Sequence, residues 1–187
     1  MFVQVENLTL KHDEIKTPEV SFKVKRNQVV ALTGPNGIGK TTIFRQILGL
    51  SQPFTQTGSI NVANNLKISY LRQDNELKGT IRQLAEQKQI EPELVFSNLR
   101  KLGFERYLFE QPIEQMSQGQ RRKVALAVSL SEEANLYFWD EPLNYLDVIT
   151  RQQIIEAIKK QHPTMLLIDH DQDLIDSVSS LKVNLHY

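Results

Sequence analysis

The chain reads as an α/β domain with a mostly parallel core sheet, short strands at its N-terminal end and a small helical region near its middle. Three observations predict this. The apolar runs "VVALT" (29–33), "NLYFWD" (135–140) and "TMLLID" (164–169) have the continuous hydrophobicity of strands covered on both faces. Helical patterns alternate with these runs, as parallel strands require. The first run also leads directly into a glycine-rich turn that opens a helix.

Taken in order, "FVQV", "VSFKVK" and "QVVALT" within residues 2–32 read as short strands separated by polar breaks. "KTTIFRQILGL" (40–50) places Ile43, Ile47 and Leu48 on one helical face. "GSINV" and "KISYL" are two further strands. Residues 80–110 are helical in pattern, with Leu84, Leu94, Leu99 and Leu102 as apolar positions among many charges. The helical region spans about 75–130, and its best-marked part is 75–115. The polar turn "SQGQ" (117–120) precedes a helix with an apolar stripe at Val124, Ala127 and Val128. After "NLYFWD" come a helix over "VITRQQIIEAIKK", the strand "TMLLID", a helix over "DLIDSVSSL" and a closing strand "KVNLHY".

The chain has 187 residues, enough for one domain with a sizeable core. Its 22 Lys and Arg balance 22 Asp and Glu, which removes any global pull toward nucleic acid. Arg121-Arg122-Lys123 is a candidate local basic patch. Cysteine is absent, so no disulfide or thiolate metal site exists. No apolar run approaches the length of a membrane span, and the N-terminus lacks a signal-peptide core; a cytoplasmic location is the expectation.

"GPNGIGKTT" (34–42) fits G-x-x-x-x-G-K-[ST] between a strand and a helix, the context that motif needs. Its glycines let backbone N–H groups turn in around phosphate oxygens, and the helix N-terminus points its positive end at them. Lys40 reaches the outer phosphates, and Thr41 offers a hydroxyl to Mg²⁺. Asp140 and Glu141 follow a buried strand, which delivers them to the ligand edge of a parallel sheet. Asp140 suits Mg²⁺ there, and Glu141 suits a general base acting on water. A second strand ends in Asp169, His170 and Asp171, where His170 can contact the γ-phosphate or the attacking water. Gln73 also follows a strand, and its amide can reach a metal or a water.

Together these motifs resemble the ATP-binding cassette (ABC) ATPases over essentially the whole chain. The matches run in the family's order: Gly34–Thr42 as Walker A, Gln73 as Q-loop, Ser117–Gln120 as signature, Leu136–Glu141 as Walker B, Asn144–Asp147 as D-loop and His170 as switch histidine. The resemblance implies the ABC-type P-loop ATPase fold, with a mostly parallel core sheet, an N-terminal antiparallel β-subdomain and a small helical subdomain, and hydrolysis of Mg-ATP, with ATP and Mg²⁺ as cofactors. Gly34, Pro35, Asn36, Gly37, Ile38, Gly39, Lys40, Thr41 and Thr42 then hold the phosphates. Thr41, Gln73 and Asp140 serve the metal, and Glu141, His170 and Gln73 the chemistry. It also implies two cassettes facing head to tail. Ser117, Gln118, Gly119 and Gln120 of one would cover the nucleotide in the other, so the lone domain should be weakly active.

"EPLNYLD" (141–147) resembles the "EPTNHLD" of the ABC-F class, two-cassette proteins without a membrane domain. Residues 98–148 are similar to the second cassette of Lsa-type antibiotic-resistance factors. In that family two cassettes bind the ribosome and its rRNA near the E site. Their linker helps displace lincosamides, streptogramin A and pleuromutilins. The resemblance implies a single nucleotide-binding domain, 1–187, excised as the C-terminal half of a longer chain. Four positions depart from the general family pattern. Gln118 replaces a signature glycine, Leu143 a threonine and Asp169 a serine, while His12 falls where an aromatic usually stacks on adenine. Two other functions fit the same motifs: the ATPase subunit of a membrane transporter, and a nucleotide-gated ribosome-binding module with little turnover.

Overall fold

A computed structural model describes residues 1–12, 14–50, 54–74 and 76–187. Along the chain run β1 (Val3–His12), β2 (Ile15–Lys16), β3 (Val20–Val24), β4 (Val29–Thr33), α1 (Lys40–Ile47), β5 (Thr55–Val62), β6 (Ile68–Leu71), α2 (Ile81–Gln87), α3 (Pro92–Lys101), α4 (Gln118–Ser131), β7 (Leu136–Asp140), α5 (Val148–Gln161), β8 (Met165–Ile168), α6 (Gln172–Val178) and β9 (Leu181–Asn184). The architecture is α/β, as the sequence predicts. Strands β1, β2, β3 and β5 form an antiparallel sheet in which β1 pairs with the other three. Strands β6, β7, β8, β4 and β9 form a parallel sheet in that spatial order.

The alternation of side chains explains why the parallel strands read as unbroken apolar runs. From β7, Leu136 and Phe138 face a core shared with the antiparallel sheet and α1, where Val3, Leu10, Phe22 and Phe44 are buried. Trp139 faces the opposite core, built with α2 to α6 from residues such as Ile81, Leu99, Leu126, Ile154 and Leu174. Strand β8 splits the same way, with Leu166 and Ile168 on one side and Met165 and Leu167 on the other. Both faces of the central strands β4, β7 and β8 are therefore covered, which is why their runs are almost wholly apolar.

Local chemistry sets the helix boundaries. Thr80 caps α2 through a reciprocal pair with Gln83, and Pro92 starts α3. Ser117 caps α4 in the same way with Gln120. Three expectations need correction. The helical stretch 80–110 is broken into α2 and α3, and a 3₁₀ turn at Arg106–Leu108 follows. Leu94 is 46% exposed rather than packed. The last helix stops at Val178, and Leu181 already belongs to β9. Strand β5 is a strand as expected, and its pairing with β1 from Val3 to Lys11 places it in the antiparallel sheet.

Candidate nucleotide site at the sheet edge

All five core strands run in one direction, so their C-terminal ends meet along one edge. There β4 gives way to the phosphate loop, β6 to Gln73, β7 to Glu141 and β8 to Asp169 and His170. The loop glycines Gly34, Gly37 and Gly39 all have positive φ. Gly39 is the N-cap of α1, and a Cβ there would lie 2.5 Å from Thr17 Cγ2, so only glycine fits. Lys40 is buried, and its Nζ donates to the carbonyls of Gly34 at 2.7 Å and Pro35 at 2.9 Å, bending back over the loop. Burial pushes its pKa down, while Glu141 and Asp140 pull it back up. Pro35, Asn36 and Gly37 form the exposed tip, Ile38 anchors the loop in the core and Thr42 is half-buried on α1.

Thr41 Oγ1 donates to Asp140 Oδ2 at 2.8 Å, joining the start of α1 to the end of β7. Asp140 is only 1% exposed, and among the described residues its Oδ1 has no hydrogen-bond partner. Burial pushes the Asp140 carboxyl up, partly offset by the Thr41 hydrogen bond. An orphaned buried carboxylate oxygen is costly unless a cation meets it. Beside a hydroxyl and the phosphate loop, this pair fits Mg²⁺, which takes one or two carboxylate oxygens and leaves its other positions to phosphate and water.

Glu141 is where the predicted catalytic groups meet. Its φ is +50°, a strained value for a residue with a side chain. Gln73 Nε2 donates to Glu141 Oε2 at 2.8 Å, Asn144 Nδ2 donates to the same oxygen at 2.6 Å, and His170 Nε2 lies 3.4 Å from Oε1. Gln73 thus reaches Glu141 rather than the Thr41–Asp140 pair. The His170 side chain is 48% exposed, open to a ligand on its free side. Asp169 accepts from the backbone N–H groups of His170 at 2.7 Å and Asp171 at 2.8 Å, and at longer range from Leu143. It therefore orients the histidine loop against the turn that follows Glu141. Burial pushes its carboxyl up against these bonds.

Ser117, Gln118, Gly119 and Gln120 form the first turn of α4 and its cap, and among the described residues no hydrogen bond joins them to the phosphate loop. Gly119 packs against the loop after Glu141: a Cβ there would lie 2.8 Å from the Tyr145 carbonyl oxygen. His12 ends β1, and its ring lies 5.3 Å from that of Phe54, an aromatic that the sequence reading did not single out. Asn144 was seen only as part of a motif, without its bond to Glu141. Arg122, one of the three residues of the candidate basic patch, is only 5% exposed. It donates to backbone carbonyls of Arg72, Gln73, Asp140, Glu141 and Pro142, beneath Gln73 and Glu141. Burial lowers its pKa to about 10, opposed by the nearby carboxylates. The basic pattern alone could not show this burial, because the acceptors come from two distant segments.

A phosphate loop joined through Thr41 to a buried strand-end aspartate, with a glutamate next to it under amide and imidazole, defines a nucleotide-binding protein of the P-loop class. The model of the family described as "ABC transporter" matches residues 17–144. This chain belongs to that family, and with it come ATP, Mg²⁺ and ATPase chemistry. It is 33% identical over 187 residues to the ribosome protection protein VmlR of Bacillus subtilis (strain 168), covering 97% of this chain and 34% of that one. It is 34% identical over 181 residues to the zinc import ATP-binding protein ZnuC of Rickettsia conorii (strain ATCC VR-613 / Malish 7), covering 90% of this chain and 76% of that one. Among solved structures, archaeal ribosome recycling factor aABCE1, in complex with ribosomal stalk protein aP1, superposes with a TM-score of 0.81 at 27% identity, covering 98% of this chain and 37% of that chain. The chain therefore spans about a third of the length of VmlR. No described helix is long and apolar enough to cross a membrane.

Proposed function

We propose that this chain is the C-terminal cassette of a cytoplasmic ABC-F protein that binds the ribosome and its rRNA and protects it from lincosamide, streptogramin A and pleuromutilin antibiotics. In this reading residues 1–187 are one nucleotide-binding domain, with its helical part at about 75–130, paired with a second cassette. The observation that carries the enzymatic half is the convergence of Gln73, Asn144 and His170 on the Glu141 carboxylate, beside the Thr41–Asp140 pair. The ribosomal half is supported by the match to VmlR over 97% of the chain.

The residues divide the work as follows. Lys40 and the N–H groups of the loop hold the outer phosphates. Thr41 and Asp140 hold Mg²⁺, which neutralises phosphate charge when bound. Glu141 accepts a proton from the attacking water, and Gln73 and His170 fix the carboxylate and the water in line with the γ-phosphate. His12, with the neighbouring Phe54 ring, offers a surface to the base. Ser117 to Gln120 serve the nucleotide of the partner cassette, where a capped helix N-terminus supplies donors.

Glu141→Gln keeps the side chain's size and removes the proton acceptor. Hydrolysis should fall about 10²–10⁴-fold while Mg-ATP still binds. In the two-cassette parent the variant should accumulate on ribosomes pelleted through sucrose with ATP. Normal ATPase rate and equal co-sedimentation would refute both the base and the ATP-dependent retention on the ribosome. The 34% identity to ZnuC over most of that protein favours a second reading, the ATPase subunit of a transporter. Co-purification with a membrane partner, and no ribosome binding, would select it.

A further inference from the structure

The basic run after the signature turn does something that its position in the sequence does not suggest. Arg122 lies in α4, five residues beyond the cap Ser117. Its guanidinium is buried, and among the described residues no carboxylate lies within ion-pair distance of it. Its charge is met instead by backbone carbonyls. Nη1 donates to Arg72 at 2.7 Å and, more weakly, to Gln73 at 3.4 Å. Nε donates to Pro142 at 3.0 Å, and Nη2 donates to Asp140 at 2.8 Å and to Glu141.

These acceptors belong to two segments. One carries the Gln73 side chain and the other the Glu141 side chain, and those two side chains are bonded to each other at 2.8 Å. One planar cation therefore spans the backbones beneath both partners. Three of its acceptors are the consecutive carbonyls 140–142, around the residue whose φ is +50°. That conformation persists only where its surroundings hold it. Lysine could not do the same, since its donors radiate from one point, whereas arginine presents five in a fixed fork. Two other contacts fasten this end of α4 to the loop after Glu141. Lys123 pairs with Asp147 at 3.2 Å, and Gly119 lies against the Tyr145 carbonyl.

We infer that Arg122 is a positioning residue for ATP hydrolysis, setting the Gln73–Glu141 geometry from within α4. The inference rests on Glu141 being the base. Because α4 begins at the signature turn, the same side chain makes the geometry of this chain's own base depend on where that turn sits. Loss of Arg122 should disturb the placement of the carboxylate without removing any group that touches the phosphates.

The test uses the 187-residue chain at high protein concentration, with Arg122→Met, Arg122→Lys, Glu141→Gln and the double variant Arg122→Met/Glu141→Gln. Three quantities are measured: urea unfolding, affinity for a fluorescent ATP analogue with Mg²⁺, and kcat. Arg122→Met should keep nucleotide affinity within about threefold while kcat falls on the order of 10- to 100-fold. Arg122→Lys should recover part of that loss. The double variant should be no slower than Glu141→Gln, because a residue acting through Glu141 has nothing left to act on. Equal losses of affinity and kcat in Arg122→Met would overturn the inference, as would normal turnover or full additivity in the double variant. If Arg122→Met does not unfold cooperatively, Arg122→Lys is judged by the same split between affinity and kcat. Normal turnover of Glu141→Gln alone would remove the base assignment and the inference with it, and it would be recognised without reference to Arg122.

Discussion

Replacing Lys40 with methionine should separate nucleotide binding from folding. Lys40 Nζ is held by the Gly34 and Pro35 carbonyls at 2.7 and 2.9 Å, and the side chain is buried. Burial lowers its pKa below the unfolded value. A cation with a lowered folded pKa costs stability while it is charged, and that cost fades as pH rises through the folded pKa. Methionine removes the buried charge at similar length, and water can reach the half-exposed loop carbonyls. The free protein should therefore keep its stability to within about 1 kcal/mol at neutral pH. Binding should respond very differently. One hydrogen bond from a charged donor to phosphate contributes about 1.5–3 kcal/mol, or roughly ten- to hundredfold in affinity. With Mg-ATP at about 100 times the wild-type Kd, ligand stabilisation of about 2.7 kcal/mol should drop to roughly 0.4–1.4 kcal/mol. At about 2–4 °C per kcal/mol for a chain of this size, a rise in Tm of about 5–11 °C shrinks to about 1–6 °C. Differential scanning fluorimetry with and without Mg-ATP reads both effects. An unchanged ATP-induced shift would show that Lys40 does not bind phosphate. A free-state Tm lower by many degrees would show that it is structural.

Turnover by the isolated chain should be very slow and should rise with protein concentration, because among the described residues no hydrogen bond joins the signature turn to its own phosphate loop; fast turnover that survives high dilution would refute the in-trans assignment. Gly119→Ala should cost about 1–3 kcal/mol in urea unfolding, since its Cβ would meet the Tyr145 carbonyl oxygen at 2.8 Å. Asp147 caps α5 through Thr150 and pairs with Lys123, and these contacts hold its carboxyl below the usual carboxylate range. Its contribution is complete above the unfolded pKa of about 4 and is lost as pH falls through the lower folded value, so wild type should lose more stability than Asp147→Asn on acidification from about pH 5. Equal pH slopes in parallel urea titrations would contradict this.

The phosphate loop was legible in the sequence because its requirements are local: glycines where φ must be positive, a lysine and a hydroxyl at the helix start, and an apolar strand before them. Asp140, Glu141 and His170 were legible for a related reason. A run buried on both faces ends where the sheet ends, so the next polar residues arrive at the ligand edge together. The alternating α/β order was readable from the same runs. What joins these parts was not readable, because each joint is made between segments far apart in the chain. Gln73 and Asn144 meet Glu141 only once β6 and β7 lie side by side. Phe54, the residue before β5, reaches His12 only because β5 pairs with β1 through Lys11 and Thr55. Strand β5 belongs to the antiparallel sheet because β1 offers it an edge, which no pattern within β5 announces. Arg122 is the plainest case. A charge in a helix is expected to face water, since burial without partners costs several kcal/mol. Only the tertiary structure, by aiming carbonyls from 72–73 and 140–142 at one point, makes the buried position the stable one.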